Sequence, residues 1–397
     1  MTTTDHSQAT ADAAHTDGAV IPEGSRGERF TSFDVDAFEQ PTPRDEDYRF
    51  SALRDLAPVL DQADAPVDGA EYDVQAPEGV STGTLAIGEA PRGTVLVPED
   101  RIAAIASAGT AEALHVKVPA DAQVTEPIRV AITGKAASRS HIVIETGTHA
   151  EATVILEHRG TGAHAGNVEV IVGDGSQLEI VSLQQWDDDA VHGGTHHARV
   201  GRDATYKHVA VSLGGKAVRL AVTAEYGGTG GSAELLGLYY SDSGQHLEHR
   251  TFIDHNAPKC HSNVAYKGAL AGKTARSVWI GDVLIRAAAE GTDTYELNRN
   301  LVLTDGARAD SVPNLEIETG EIEGAGHASA TGRFDDEQMF YLRSRGISEE
   351  KARKLVVRGF FADLIQQIGV PEVEAGLMRE IDLELEHFEE EYAEETE

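Results

Sequence analysis

Asn167-Val-Glu-Val-Ile-Val-Gly173 followed by Gln177-Leu-Glu-Ile-Val-Ser-Leu183 is the stretch that decides the fold. In both runs apolar and polar residues alternate with a period of two, and the composition favours β-branched side chains, so each reads as a strand. Asp174, Gly175 and Ser176 between them are turn residues. The same unit recurs on either side. His141-Ile-Val-Ile-Glu-Thr-Gly147 precedes Ala152-Thr-Val-Ile-Leu156, and His197-Ala-Arg-Val-Gly201 precedes Thr205-Tyr-Lys-His-Val-Ala-Val211. The turn glycines Gly147, Gly173, Gly201 and Gly230 fall 26 to 29 residues apart, a solenoid-type period. One strand pair cannot bury both of its faces, whereas stacked copies can. A mainly β fold built as a β-helix or closely similar solenoid is therefore expected. An antiparallel sandwich or barrel is the rival that the same strand texture permits.

Outward from this core the texture changes. Residues 1–28 hold almost nothing apolar to bury and are expected to form a disordered acidic tail. In 29–92, Phe33, Val35, Phe38, Tyr48, Phe50, Leu53, Leu56 and Leu60 are spaced as in short helices, interrupted at Pro41 and Pro43, and the region is read as helical. Residues 93–325 are assigned to the β-helix and 326–397 to a C-terminal helical domain. There, Ser348 starts a helix with Ala352, Leu355, Val356, Gly359, Phe360, Leu364 and Ile368 on one stripe, Gly369 ends it, and Pro371 opens another.

Composition excludes whole classes of function. Asp and Glu number 67 against 33 Lys and Arg, for a net charge of -34, so nucleic acid is not an expected partner. Such a surface repels itself less at high salt, where the Debye length shrinks to about 3 Å at 1 M, and a halophilic source is the economical explanation. With one cysteine, Cys260, neither an internal disulfide nor a multi-thiolate site can form within the chain. The first residues carry no basic and apolar leader pattern, and no apolar run is long enough to span a bilayer, so a cytoplasmic protein without membrane contact is expected.

Motifs for catalysis are weak. Gly268-Ala-Leu-Ala-Gly272-Lys273-Thr274 has three residues where a phosphate loop needs four between Gly and Gly-Lys, and no helix pattern follows, so it reads as a tight turn. Cys260 with His255 or His261 is a conceivable metal-binding set, but its spacing matches no closed zinc pattern. No nucleophile elbow, zincin helix or dinucleotide fingerprint occurs, and the chain is not expected to be an enzyme.

The most specific text lies further on: Asn298-Arg-Asn-Leu-Val-Leu-Thr-Asp-Gly-Ala-Arg-Ala-Asp310, Pro313-Asn-Leu-Glu-Ile317, Gly326-His-Ala-Ser-Ala-Thr-Gly332, and Asp335-Asp-Glu-Gln-Met-Phe-Tyr-Leu-Arg-Ser-Arg-Gly-Ile347. Upstream stand Asp254-His-Asn-Ala-Pro258, Cys260-His-Ser262 and Tyr266-Lys-Gly268. Together these resemble the SufB/SufD family of iron–sulfur cluster assembly proteins. Thr304 occupies the place where SufB-type chains carry a cluster-receiving cysteine, and Tyr266 precedes Lys-Gly, so the resemblance is to the SufD-type branch.

The resemblance implies a right-handed parallel β-helix and a non-catalytic subunit that pairs with a SufB-type paralogue and docks a SufC-type ABC ATPase. It places Leu301, Val302, Leu303, Leu315 and Ile317 at or near the SufB-type seam. It places Phe340, Tyr341, Arg343, Arg345 and Phe360 at the ATPase-docking region. It also places His327 at the subunit interface, as an iron ligand or proton carrier. No cofactor is then held stably by this chain, and an iron–sulfur cluster is shared transiently with the partner. The alternatives are a SufB-like homodimeric scaffold, for which Cys260 is the one available thiolate, and a β-helix carbohydrate-active enzyme.

Overall fold

The computed structural model describes residues 27–61, 68–333 and 336–396. The expected tail falls almost entirely outside the described residues, as does Asp335, one of two expected helix caps. The alternating runs form two sheets that face each other across a filled interior. From Glu112–Val118 onward, successive strands alternate between the sheets, one ten-stranded and one nine-stranded, and from Ala137–Thr146 onward each pairs in parallel with the strand one coil earlier. This is a parallel β-solenoid, and the sandwich alternative is excluded by the parallel register. A coil takes 26 residues where Ala137 pairs with Ala163 and 32 where His261 pairs with Asp293.

The four repeat glycines divide into two kinds. Gly147, Gly173 and Gly201 sit where a Cβ would stand 2.4 to 2.6 Å from the backbone of the preceding coil, so close stacking requires them. Gly230 belongs instead to a column of left-handed turn residues that includes His149, Gly175, Asp203, Lys259 and Gly291. The positional equivalent in the fourth coil is Gly227, whose N–H donates to the Val200 carbonyl as that of Gly201 does to Val172, although a Cβ there would stand 3.5 Å from the Val200 carbonyl oxygen.

The N-terminal region is only half helical. Short 3-10 turns at Val35–Ala37 and Glu46–Tyr48 and helix α1 (Leu53–Leu60) are followed by strands at Asp68–Gly69, Glu71–Gln75 and Ser81–Ala86. A further helix, α2 (Arg101–Gly109), lies inside the span read as β; Asp100 caps it by accepting from the Ala103 N–H. Both helices pack on the outer face of the ten-stranded sheet. The solenoid also runs past the expected boundary at 325, through a last strand at Gly324–Arg333.

The C-terminal helices are α3 (Asp336–Ser344), α4 (Glu349–Ile365) and α5 (Pro371–Thr396). Ser348 caps α4 by accepting from the Lys351 N–H, and Gly346 and Gly369 take left-handed conformations after α3 and α4. The buried stripe of α4 is rotated from the expected one: Ala352, Val357, Phe361, Leu364 and Ile365 are buried, while Leu355 is exposed. This stripe and that of α5 cover Val181, Val209, Leu236 and Leu303 on the outer face of the nine-stranded sheet. Among the described residues, no helix is long and apolar enough to cross a membrane.

Candidate functional site at the open end of the solenoid

The last two strands, Arg308–Ile317 and Gly324–Arg333, are the terminal strands of their sheets, and neither has a partner on its outer edge among the described residues. Each presents a row of backbone donors and acceptors to another chain. Pro313 is tolerated there because an edge strand can lose a donor.

His327 lies within the final strand rather than at a turn. Its Cα partner is Glu296, and parallel pairing in register sends both side chains to the same side of the sheet. That side is inward: Ala325, two residues earlier, packs on the interior core, whereas Gly326 faces the outward Tyr295 ring. His327 is exposed only because no coil covers it. The mouth of the solenoid is thus formed by Leu315, Ala325, His327, Ser329 and Thr331. Beneath it runs a hydrogen-bonded polar floor. The Tyr239 hydroxyl donates to Asn300 Oδ1 (2.6 Å), the Asn300 amide donates to Asn298 Oδ1 (2.7 Å) and to Ser311 Oγ (3.0 Å), and the Asn298 amide donates to the Tyr239 oxygen (3.1 Å).

Glu296 stands in this floor without a hydrogen-bond partner among the described residues. It is 1 % exposed, both carboxyl oxygens lack hydrogen bonds, and burial pushes its pKa up to about 8. Nothing in local sequence distinguishes it from the other acids. The signal that could have found it is the inward alternation Thr294, Glu296, Asn298, Asn300, in which the acid takes the position that Val264 and Leu235 occupy in the two preceding coils.

The expected seam residues separate. Leu315 and Ile317 are on the free edge strand, with Ile317 45 % exposed. Val302 is buried in the interior register, and Leu301 and Leu303 pack toward the C-terminal helices. Of the residues expected at the docking region, Phe340 and Tyr341 are 75 % and 57 % exposed on α3, and the Arg345 guanidinium lies 5.1 Å from the Tyr341 ring centre. Arg343 is in the last turn of the same helix. Phe360 is half-buried against the solenoid, with the Lys267 ammonium 5.2 Å from its ring centre.

Cys260 is far less available than a scaffold thiolate would need to be. It fills a corner position equivalent to Ala150, Ser176, Ala204 and Gly231 in other coils, each passing its carbonyl to the strand of the next coil. Its side chain is buried, Sγ lies 3.5 Å from the Gly228 and Pro258 carbonyls, and burial pushes the thiol pKa up. His255 turns away to Ser262 Oγ (2.8 Å), and His261 to Asp293 (3.3 Å). Among the described residues no group of three His, Cys, Asp or Glu is placed to hold a metal ion. Thr304 accepts from the Gly272 N–H (3.0 Å), and Gly268–Thr274 closes one strand and turns toward the next.

A cleft of about 490 Å³ under the N-terminal segment is a fastening rather than a site. Its Arg219 is paired with Asp100 (2.7 Å) and Glu248 (3.3 Å), and its Arg250 with Asp47 (2.7 Å).

Residues 130–360 match the family described as SUF system FeS cluster assembly, SufBD core domain. Over 371 residues the chain is 54 % identical to an iron–sulfur cluster assembly SufBD family protein of Mycobacterium bovis, covering 91 % of this chain and 94 % of that one. A SufBD family protein of Mycobacterium leprae is 50 % identical over 378 residues, covering 93 % and 96 %. The iron–sulfur cluster assembly protein SufD of Escherichia coli is 31 % identical over 166 residues, covering 42 % of this chain and 39 % of its own length.

Proposed function

The chain belongs to the SufBD family of the SUF iron–sulfur cluster assembly system, and we propose that it acts there as a non-catalytic SufD-type subunit. It pairs through its open solenoid end with a SufB-type paralogue and docks a SufC-type ATPase on its C-terminal helices. The observation that carries this reading is the uncapped mouth, where two free strand edges, partly exposed Leu315 and Ile317, and the inward-directed His327 meet. A second coil stack added there would bury the edges and enclose His327, whose imidazole can ligate iron or hold a proton beside a partner thiolate. Iron and sulfide are substrates of this assembly, and no cluster is held stably by the isolated chain. The buried, protonated Cys260 supports the paired reading over a homodimer that relies on its own thiolate.

Phe340 and Tyr341, projecting from α3, offer an aromatic surface for the ATPase. Rotation applied to the C-terminal helices would pass to the mouth, because α4 and α5 are packed along the stiff sheet that ends in the His327 strand. Expression with the neighbouring SUF components, followed by purification through a tag on this chain, tests the reading. Leu315→Asp should abolish recovery of the SufB-type partner while leaving the isolated chain folded, and Phe340→Ala with Tyr341→Ala should reduce recovery of the ATPase only. Equal recovery of both partners by all variants would sink the assignment.

A further inference from the structure

Building on the role given to His327, we propose that Glu296 and His327 together form a half-site for iron(II) at the solenoid mouth, one carboxylate and one imidazole, completed by groups from the paired subunit.

The first ground is the isolation of Glu296. Glu169 and Glu248, also fully buried, are held by hydrogen bonds or by ion pairs. Glu169 accepts from the Gly93 and Val95 N–H groups (both 2.7 Å) and meets His141 (3.3 Å), and Glu248 is flanked by Arg219 (3.3 Å), Arg250 (3.7 Å) and His246 (3.5 Å). Glu296 is equally buried, yet neither oxygen has a hydrogen-bond partner among the described residues. A carboxyl group withdrawn from water without hydrogen bonds is disfavoured, and such groups in folded proteins call for an explanation such as an ion.

The second ground is placement. Glu296 and His327 are register partners on adjacent parallel strands, roughly 4.8 Å apart at Cα, with side chains on the same inward side. That separation is within reach of one ion bridging a carboxylate oxygen and an imidazole nitrogen at about 2 Å each. Gly281 provides the space, because a Cβ there would stand 2.8 Å from Glu296 Oε1 and 2.3 Å from the Trp279 ring. The third ground is incompleteness. Iron(II) accepts nitrogen and carboxylate ligands while leaving positions open, and no third His, Cys, Asp or Glu joins the pair among the described residues. The open positions face the side on which the free strand edges would receive a second chain.

The test is direct binding by the full chain under anaerobic conditions, with cobalt(II) as a visible-absorbing stand-in and iron(II) in a parallel titration. Wild type should bind one cobalt(II) per chain below about 1 mM, and Glu296→Gln, nearly isosteric, should weaken binding at least ~10-fold, as should His327→Ala. Glu296→Asp should restore part of the affinity, which a purely steric role for Glu296 would not produce. Circular dichroism of each variant separates loss of the site from loss of the fold. Wild-type affinity in Glu296→Gln, with loss in His327→Ala, would overturn the role of Glu296 and leave the proposed function standing. No saturable binding by wild type, or undiminished binding by both variants, would overturn the half-site altogether.

Discussion

The two ends of the solenoid are finished differently. At the N-terminal end Glu71–Gln75 pairs antiparallel with Ile128–Gly134, and Ser81–Ala86 antiparallel with Glu112–Val118, so each sheet is closed by a strand running against the stack. Side chains lock that closure. The Arg92 guanidinium donates to the carbonyls of Leu85, Ala111, Ser107 and Thr110, and the Glu169 carboxylate ties the segment at Gly93 and Val95 to the sheet. At the C-terminal end both sheets stop in parallel strands with open edges, above a polar floor containing an unpartnered acid. A repeat stack must be stopped somewhere, because every coil offers its edge and its inner face to the next. One end here is stopped by the chain itself; the other is shaped to be stopped by something else.

The stretch between the ends should fail first in acid, and this is the largest effect expected. His158, His164, His208, His249 and His255 line the interior, and burial lowers their pKa values from the ordinary 6.5 to about 4 for His158 and about 3 for the others. In the unfolded chain they take up protons below about 6.5, whereas the native state resists doing so. Stability should therefore be level above that pH and fall progressively more steeply from there toward pH 4, by several protons. Glu248, held at about 2 as His246, Arg219 and Arg250 together outweigh its burial, adds to the loss below about 4.5. Denaturant midpoints at constant high salt check this, and a midpoint unchanged between pH 7 and 5 would refute it.

The sealed end should be next in sensitivity. Burial pushes the Glu169 carboxyl up, but His141 and the Gly93 and Val95 N–H groups more than offset this and hold it below the usual range. Glu169→Ala strands those two donors and His141 in a dry site, and should cost about 3 kcal/mol by equilibrium unfolding. Glu169→Gln, which keeps an acceptor, should cost clearly less. Equal losses would mean that the carboxylate fills space rather than fastening the segment.

Most of the middle was legible from the sequence because period-two alternation is a local property, visible in each run before any coil is stacked. The ends were not. Glu71-Tyr-Asp-Val-Gln75 exposes every second residue and only half-buries the others, so its strand text is faint beside the helix-spaced apolar residues from Phe33 to Leu60 that set the reading of 29–92. Helix α2 did carry a signal, since Asp100 precedes an alanine-rich run, but it is short and lies among strands. Cys260 drew attention through its chemistry, while its actual role as a small corner residue emerges only when Ala150, Ser176, Ala204 and Gly231 are stacked beneath it. His327 was legible as a motif residue. Glu296 was not, because an acid becomes unusual only once its surroundings are known.

The smallest expected effect separates a coil that is covered from one that awaits a cover. Leu235 and Leu315 both face the interior, Leu235 fully buried in mid-stack and Leu315 only partly buried in the last coil. Leu235→Ala opens a cavity with coils on both sides and should cost about 2–5 kcal/mol. Leu315→Ala removes the same atoms from a face that solvent already reaches, so little transfer free energy is lost, and the isolated chain should lose no more than about 1 kcal/mol. If the mouth receives a second coil stack, the Leu315 penalty should rise toward the mid-stack value when unfolding is measured on the paired complex, because the same cavity then lies between covered coils. A Leu315 penalty as large as that of Leu235 in the isolated chain would show that the last coil is already closed, and would remove the contrast between the two ends.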